Sequence, residues 1–340
     1  MTKKILIVAF AVLILTFLMA LAAGRNPLNI KNALQAGNAS PAPTSQAIEP
    51  QPTAHVATKD SEVSLTVLVG GDPKKMPLNE YLYGAVSAEM PALYPIAALQ
   101  SQAVAARTYA LYAINKNPRH DNAVICGDFA CCMAWRSEKE SMEAWGQEHG
   151  NEYYDRIKEA VDSTDMEVLL YNNELIDALF FAFSSGKTES AAEVWGNDIP
   201  YLVSVESDWD KEHPEFTRRV SVKNSKARKK LEKAYPGIKL PKKTKKWFSD
   251  WEYTASGRVK SVRAGDTTVA GTEIRSLFGL SSHHFTVSFE NSRLNFVTQG
   301  FGHGVGLSQF GARQMSQDGK DYKEILAWYY KGTTLERYKY

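Results

Sequence analysis

In the stretch SAEMPALYPIAALQSQAVAARTYAL, residues 87–111, one carboxylate, Glu89, stands between an apolar helical segment and Pro91. Leu82, Val86 and Met90 recur at helical spacing, which predicts a helix over 78–90 with Asn79 as its cap. Pro91 disfavours a helical Met90, so the helix should end near Glu89. The negative pole of the helix macrodipole at that end raises a carboxyl pKa. Ala85, Met90 and Leu93 would raise it further by desolvation. Both effects keep a proton on Glu89 near neutral pH, as a general acid requires. The bland alternative is a surface glutamate at a frayed helix end. A second helix, entered at Pro95 and running to about Asn115, carries Gln102 and Arg107. Five residues apart, these two sit about 140° from each other around the axis and do not share a narrow face. Arg107 lies in a stripe of small residues, where it either packs its stem against the core or pins a carboxylate.

A different chemistry is possible in HDNAVICGDFACC. His120, Cys126, Cys131 and Cys132 fall within thirteen residues and include all three cysteines of the chain. Imidazole and thiolates in one short loop form the ligand set of tetrahedral zinc. The spacing departs from finger patterns, and adjacent Cys131 and Cys132 do not easily aim at one ion. A disulfide from Cys126 to Cys131 or Cys132, with one free thiol, is equally open. A site with four protein ligands would be closed, hence structural.

Two further stretches offer polar groups beside apolar strands. FSSGKTESAAEVWG places Ser184, Ser185, Gly186 and Lys187 after a strand end, where they contact a hydroxyl-rich ligand or simply form a polar turn; the glycine spacing is not that of a phosphate-binding loop. GFGHGVGLSQFGARQM has Gly300, Gly302, Gly304 and Gly306 alternating around His303 and leading to Ser308 and Gln309 at a helix start. The glycines allow close backbone approach; the competing view is a tight turn with a hydrogen-bonded His303.

The elements that must position these groups do not alternate regularly. VSLTVLV (63–69) reads as a strand. Asn151 to Val161 reads as a helix, and EVLLYNNELIDALFFAF (167–183) as a hairpin turning at Asn172-Asn173. RVKSVRAG, HFTVSF and LNFVTQ read as strands, GTEIRSLFGL as a short helix, and 307–318 and YKEILAWYYKG as later helices. This order predicts an α+β fold rather than a doubly wound sheet.

Of 340 residues, 40 are Lys or Arg and 38 Asp or Glu, a net charge of +2 that gives no overall attraction to nucleic acid. The basic run NSKARKKLEK fits a solvated amphipathic helix. Lys3 and Lys4 precede an uncharged run from Ile5 to Ala23 in which only Thr16 is polar. Nineteen residues approach the ~30 Å hydrocarbon core, longer than the apolar region of a cleaved signal. We therefore expect an uncleaved anchor over 1–24, with the positive end in the cytoplasm and the remainder exported; cleavage at LMALAAG is the alternative. Residues 25–61, rich in Ala, Pro, Ser, Thr and Gln, read as a flexible tether, and 62–340 as the folded exported domain.

Taken in order, NEYLYGAVSAEMPALYPIAALQSQAVAARTYAL, FAFSSGKTESAAEVWGNDIPYLVSV, GTEIRSLFGLSSHHFTV and GFGHGVGLSQFGARQMSQDGKDYKEILAWYYKGT resemble the stage II sporulation protein D family of endospore-forming bacteria, over about residues 62–338. The resemblance implies a membrane-anchored lytic transglycosylase that cuts peptidoglycan during engulfment of the forespore, at the sporulation septum and engulfing membrane. It implies a two-lobed mixed fold with a central cleft, unlike that of lysozyme. The family's catalytic glutamate falls on Glu89. Gln102, Arg107, Ser184, Ser185, Lys187, His303, Ser308 and Gln309 become candidate substrate-binding residues. Some members hold zinc on a His, a Cys and a later His-Cys pair; His120, Cys126 and Cys132 match, and Cys131 stands where the second His would be. A single Gly186 replaces the two glycines of many members. The implied partners are glycan strands stripped of stem peptides and stage II sporulation proteins P and M. A hydrolytic muramidase, a zinc amidase and a non-catalytic scaffold are the competing functions.

Overall fold

The structure, a computed structural model, describes residues 57–116, 118–146 and 148–340. The expected anchor and nearly all of the expected tether lie outside the described residues. Among the described residues no helix is long and apolar enough to cross a membrane.

Strand β1 (Ser64–Val69) turns through Gly70 and Gly71, both at positive φ, into antiparallel β2 (Asp72–Pro77). Helix α1 (Leu78–Glu89) follows directly. Its N-cap is Pro77, not Asn79, whose amide instead reaches Tyr83 Oη at 3.4 Å. The helix stops where expected: Met90 is extended (φ −125°, ψ 144°), as a residue before proline prefers. Helix α2 (Ile96–Lys116) runs through the middle of the first core, buried on nearly all sides; its alanines, Ala98, Ala103, Ala106 and Ala110, let neighbouring elements approach. Short β3 (Ile125–Cys126) joins β1 in parallel, anchoring the cysteine loop to the sheet edge.

Helix α3 (Glu138–Trp145) begins with a reciprocal Ser137–Glu140 capping box, and α4 (Gly150–Asp162) buries Tyr154, Ile157 and Val161. Strand β4 (Glu167–Tyr171) pairs with β5 (Glu174–Leu175) across Asn172 and Asn173, at φ 51° and 63°. The expected hairpin is therefore much shorter than 167–183: β6 (Phe180–Phe181) leaves β4 and joins a different sheet. Helix α5 (Ala191–Trp195) completes this part of the chain.

A second lobe is inserted between Phe216 and Gly300, which meet through a Gly300 N–H bond to the Phe216 carbonyl at 3.0 Å. It contains β7 (Thr217–Lys223), α6 (Asn224–Ala234), β8 (Phe248–Tyr253), β9 (Val259–Ala264), β10 (Thr267–Ala270), α7 (Gly271–Phe278), β11 (Phe285–Glu290) and β12 (Arg293–Gln299). Two three-stranded antiparallel sheets, β10-β9-β8 and β11-β12-β7, enclose a separate core of Leu231, Trp247, Val262, Ile274, Phe278 and Phe296. The chain returns through β13 (Leu307–Ser308), parallel to β6, then α8 (Gln309–Gln317), α9 (Tyr322–Tyr329) and β14 (Thr334–Arg337), which pairs with β4. The fold is α+β, in several small sheets, as the sequence pattern requires.

The folded chain includes residues ahead of the expected boundary at 62. Ala57 and Tyr340 exchange backbone hydrogen bonds, and Asp60 is buried.

Candidate active site and metal site

Glu89 is the last residue of α1 and is half-buried. Its Oε1 accepts the Ala134 N–H at 2.8 Å, and its Oε2 accepts from Gln309 Nε2 at 3.2 Å. Burial holds its carboxyl above the ordinary value, against the opposing pull of these two donors and of the nearby Arg136. Neither group that hydrogen-bonds it is an acid.

Each contact has a local cause. The segment 134–136 lies across α1 because residue 84 is glycine: a Cβ there would stand 2.3 Å from the Arg136 carbonyl oxygen and 2.4 Å from Trp135 Nε1. A glycine inside a helix costs about 1 kcal/mol relative to alanine, and that cost was the available sequence signal for this crossing strap. Arg136 donates to the Ser87 carbonyl and sits over Trp145, so it flanks Glu89 from the α1 side. Gln309 opens α8, whose cap is Ser308: its Oγ accepts the Gly311 N–H at 3.1 Å and donates to Asp210 Oδ1 at 2.7 Å. Asp210, fully buried, also accepts from the Ser184 N–H and Ser207 Oγ. It ties three loops together beneath the start of α8. Sequence reading missed Asp210, Arg136 and the Ala134 N–H because each acts through a contact distant along the chain.

The candidate residues therefore separate into groups. Gln309 reaches Glu89, and Gln102 stands behind it, its Oε1 accepting from Gln309 Nε2 at 3.4 Å while its own Nε2 is buried without a partner. Arg107 has no exposed surface, pairs with Asp60 at 2.8 Å, and donates to Thr164 Oγ1 and the carbonyls of Glu167 and Val161. Of its two open readings, pinning a carboxylate is the one realised. Ser184 and Ser308 are likewise fully buried in internal contacts, so neither side chain has surface to offer a glycan. Ser185 has a buried, unpartnered hydroxyl. Lys187 pairs with Glu206 at 3.1 Å. His303 lies against Phe181 and Trp195 and accepts the Val305 N–H on Nδ1 at 3.1 Å; burial lowers its pKa to about 4, so it is neutral. All four flanking glycines are at positive φ, and a Cβ on Gly304 would stand 2.7 Å from the Arg258 guanidinium, so the close approach is to the chain itself. None of the contacts of Arg107, Ser184, Ser185, Lys187 or His303 is with Glu89.

His120 Nε2 and the sulfurs of Cys126, Cys131 and Cys132 lie within 4.8 Å of one another, and all three cysteines are free thiols. The adjacent cysteines, Cys131 exposed and Cys132 half-buried, both reach this cluster because they stand in one helical turn, their N–H groups bonding the Asp128 carbonyl at 3.0 and 2.9 Å. Consecutive residues in such a turn point about 100° apart, which lets two neighbours meet one centre. This donor set is suited to a metal ion.

Comparison with known proteins gives these features a family. A model described as stage II sporulation protein matches residues 72–171. Stage II sporulation protein D of Bacillus subtilis (strain 168) is 34% identical over 281 residues, covering 82% of this chain and 80% of its own. The protein of the same name in Bacillus amyloliquefaciens is 32% identical over 301 residues, covering 86% of this chain and 84% of its own. The chain belongs to the stage II sporulation protein D family. A more distant relative, named amidase enhancer in Bacillus subtilis (strain 168), is 26% identical over 308 residues, covering 76% of this chain and 40% of its own. In this stage II sporulation protein D family member, the segment 72–171 contains Glu89, Gln102 and all four candidate metal donors. Gln309 comes from far outside it, 220 residues beyond the glutamate it touches.

Proposed function

We propose that the protein is a peptidoglycan lytic transglycosylase acting in forespore engulfment, with Glu89 as its single acid and base. The observation that carries this reading is a half-buried carboxyl with a raised pKa, held by two amide donors, on which Arg136 and no second carboxylate acts among the described residues. Hydrolytic glycosidases place two carboxylates about the scissile bond. With one, Glu89 protonates the glycosidic oxygen as it leaves C1 of N-acetylmuramic acid, and positive charge develops on that sugar. The Glu89 carboxylate then takes the proton of the sugar's own C6 hydroxyl as that oxygen bonds to C1, closing a 1,6-anhydro ring. A tethered nucleophile supplies high effective molarity without water. The Ala134 N–H and the Gln309 amide fix the carboxyl through both transfers, and Arg136 steadies the intermediate carboxylate.

The test is the product. Peptide-free glycan strands should yield fragments ending in 1,6-anhydro-N-acetylmuramic acid, with no solvent oxygen incorporated in heavy-oxygen water. Labelled reducing ends would replace this reading with a hydrolytic muramidase; free stem peptides with uncut glycans would replace it with an amidase.

The metal is zinc in this proposal. Zn–S of about 2.3 Å and Zn–N of about 2.0–2.1 Å imply tetrahedral edges of about 3.8 Å between sulfurs and about 3.6 Å between nitrogen and sulfur. Cys131 and Cys132 are 3.8 Å apart, and His120 Nε2 is 3.7 and 3.6 Å from them. A structural ion there would hold the loop that leads to Ala134. Cys126→Ser should lower bound zinc and melting temperature together, as read by elemental analysis and calorimetry; full zinc occupancy in the variant would exclude the four-ligand site. Membrane attachment through residues 1–24, an active domain outside the cytoplasm, and work beside stage II sporulation proteins P and M complete the proposal. The relative named amidase enhancer fits a setting alongside an amide-cleaving enzyme.

A further inference from the structure

We propose that Arg313 reads the free lactyl carboxylate of N-acetylmuramic acid beside Glu89, and so selects strands without stem peptides. The inference rests on the glycan-cleaving reading above and names the group that sets its substrate. Arg313 lies four residues after Gln309 on α8 and therefore on the same face, about 6 Å further along the axis. That face meets the segment following α1: Gln309 touches Glu89, and the Arg313 guanidinium lies over the Tyr94 ring, 5.6 Å from its centroid. It also lies 5.2 Å from the centroid of Phe310. The Tyr94 loop is itself fixed, since Arg156 donates to the carbonyls of Ala92 and Tyr94 at 3.0 Å each.

Among the described residues no carboxylate pairs with Arg313. Its Nη1 donates to Gln314 Oε1, and Gln314 in turn donates to Glu212 Oε2 at 2.8 Å. Beyond the bond to Gln314, no protein acceptor among the described residues takes the remaining Arg313 N–H groups, and a guanidinium edge is suited to bind a carboxylate. Arg136, the cation that acts on the Glu89 charge, is committed to the Ser87 carbonyl. A muramic acid bears its lactyl group on the same ring whose C1–O bond breaks. When a stem peptide is attached, that carboxylate is an amide and gives Arg313 no charge to pair with.

The experiment uses the full-length protein in detergent, with peptide-free strands untreated or with their lactyl carboxylates converted to methylamides. Wild-type kcat/KM should fall about 10–100-fold on amidated strands, the effect of one hydrogen-bonded charge, mostly through KM. Arg313→Gln should show that loss on untreated strands with little further loss on amidation, and Arg313→Lys should recover part of it. Equal cleavage of both substrates by wild type, or equal losses by R313Q on both, overturns the proposal. Binding of Glu89→Gln to the two kinds of strand reads carboxylate recognition without cleavage. A preference for untreated strands by that variant supports Arg313's role even if the transglycosylase reading fails, and no preference refutes the role even if cleavage is confirmed.

Discussion

Two carboxylates in the first lobe, buried Asp60 and half-buried Glu89, have been treated in opposite ways by the fold. Desolvation raises both. At Asp60 a guanidinium sits 2.8 Å away with no exposure to solvent, and the Met166 N–H adds a further bond. At Glu89 there is no such cation in contact, only two amide donors, and one side stays accessible. The first arrangement ties the start of the folded chain to α2 through a buried ion pair. The second leaves a proton that can be lost and regained. Burial alone thus does not mark an acid able to carry a proton; the role proposed for Glu89 rests on the lack of a contacting cation and on its remaining access to solvent.

The largest expected effect tests the Glu89 half of this contrast. Glu89→Gln should abolish glycan cleavage by at least about 10²-fold, the lower range for a lost general acid. Its fold should not suffer. A carboxyl with a folded-state pKa above its unfolded value of about 4.3 adds stability below that value and loses it as pH rises through the folded one. The wild type should therefore weaken over that interval in ways the glutamine variant does not. Residual activity above about a tenth of wild type would remove Glu89 from its role.

The Asp60 half predicts a stability effect. Arg107→Met leaves a buried, unpaired carboxylate and should cost about 3–5 kcal/mol in denaturant melts, while Asp60→Leu with Arg107→Met recovers most of it. A chain begun at residue 62 lacks Asp60 and should behave like the single variant. Lost glycan affinity with unchanged stability would return Arg107 to the substrate-binding residues.

The smallest effect concerns the donor set that sharpens the contrast. Gln309→Met removes one hydrogen bond from the Glu89 carboxylate and should raise its pKa further. Because cleavage needs the protonated form, the alkaline limb of the pH profile of kcat/KM should move upward, by up to about one unit. A downward shift, or none, would mean that Gln309 does not act on Glu89.

What the sequence determined by itself was local. Helical spacing followed by Pro91 placed Glu89 at the end of α1, and the Asn172-Asn173 pair set a left-handed turn, because these depend on neighbouring residues alone. The thiols and imidazole of one loop offered a metal site or a disulfide for the same reason, and their reach to one centre needed the turn at Asp128. Which polar residues would surround Glu89 was a tertiary matter. Arg107 looked like a cleft cation until Asp60, 47 residues earlier, claimed it. Ser184 and Ser308 looked like sugar contacts until Asp210 gathered them under α8. Gln309 was brought to Glu89, and Arg313 to Tyr94, by a helix that the chain reaches only after building a second lobe. Residue type and spacing carry the chemistry a side chain can perform; which charge ends up compensated is settled by packing between segments far apart in the chain.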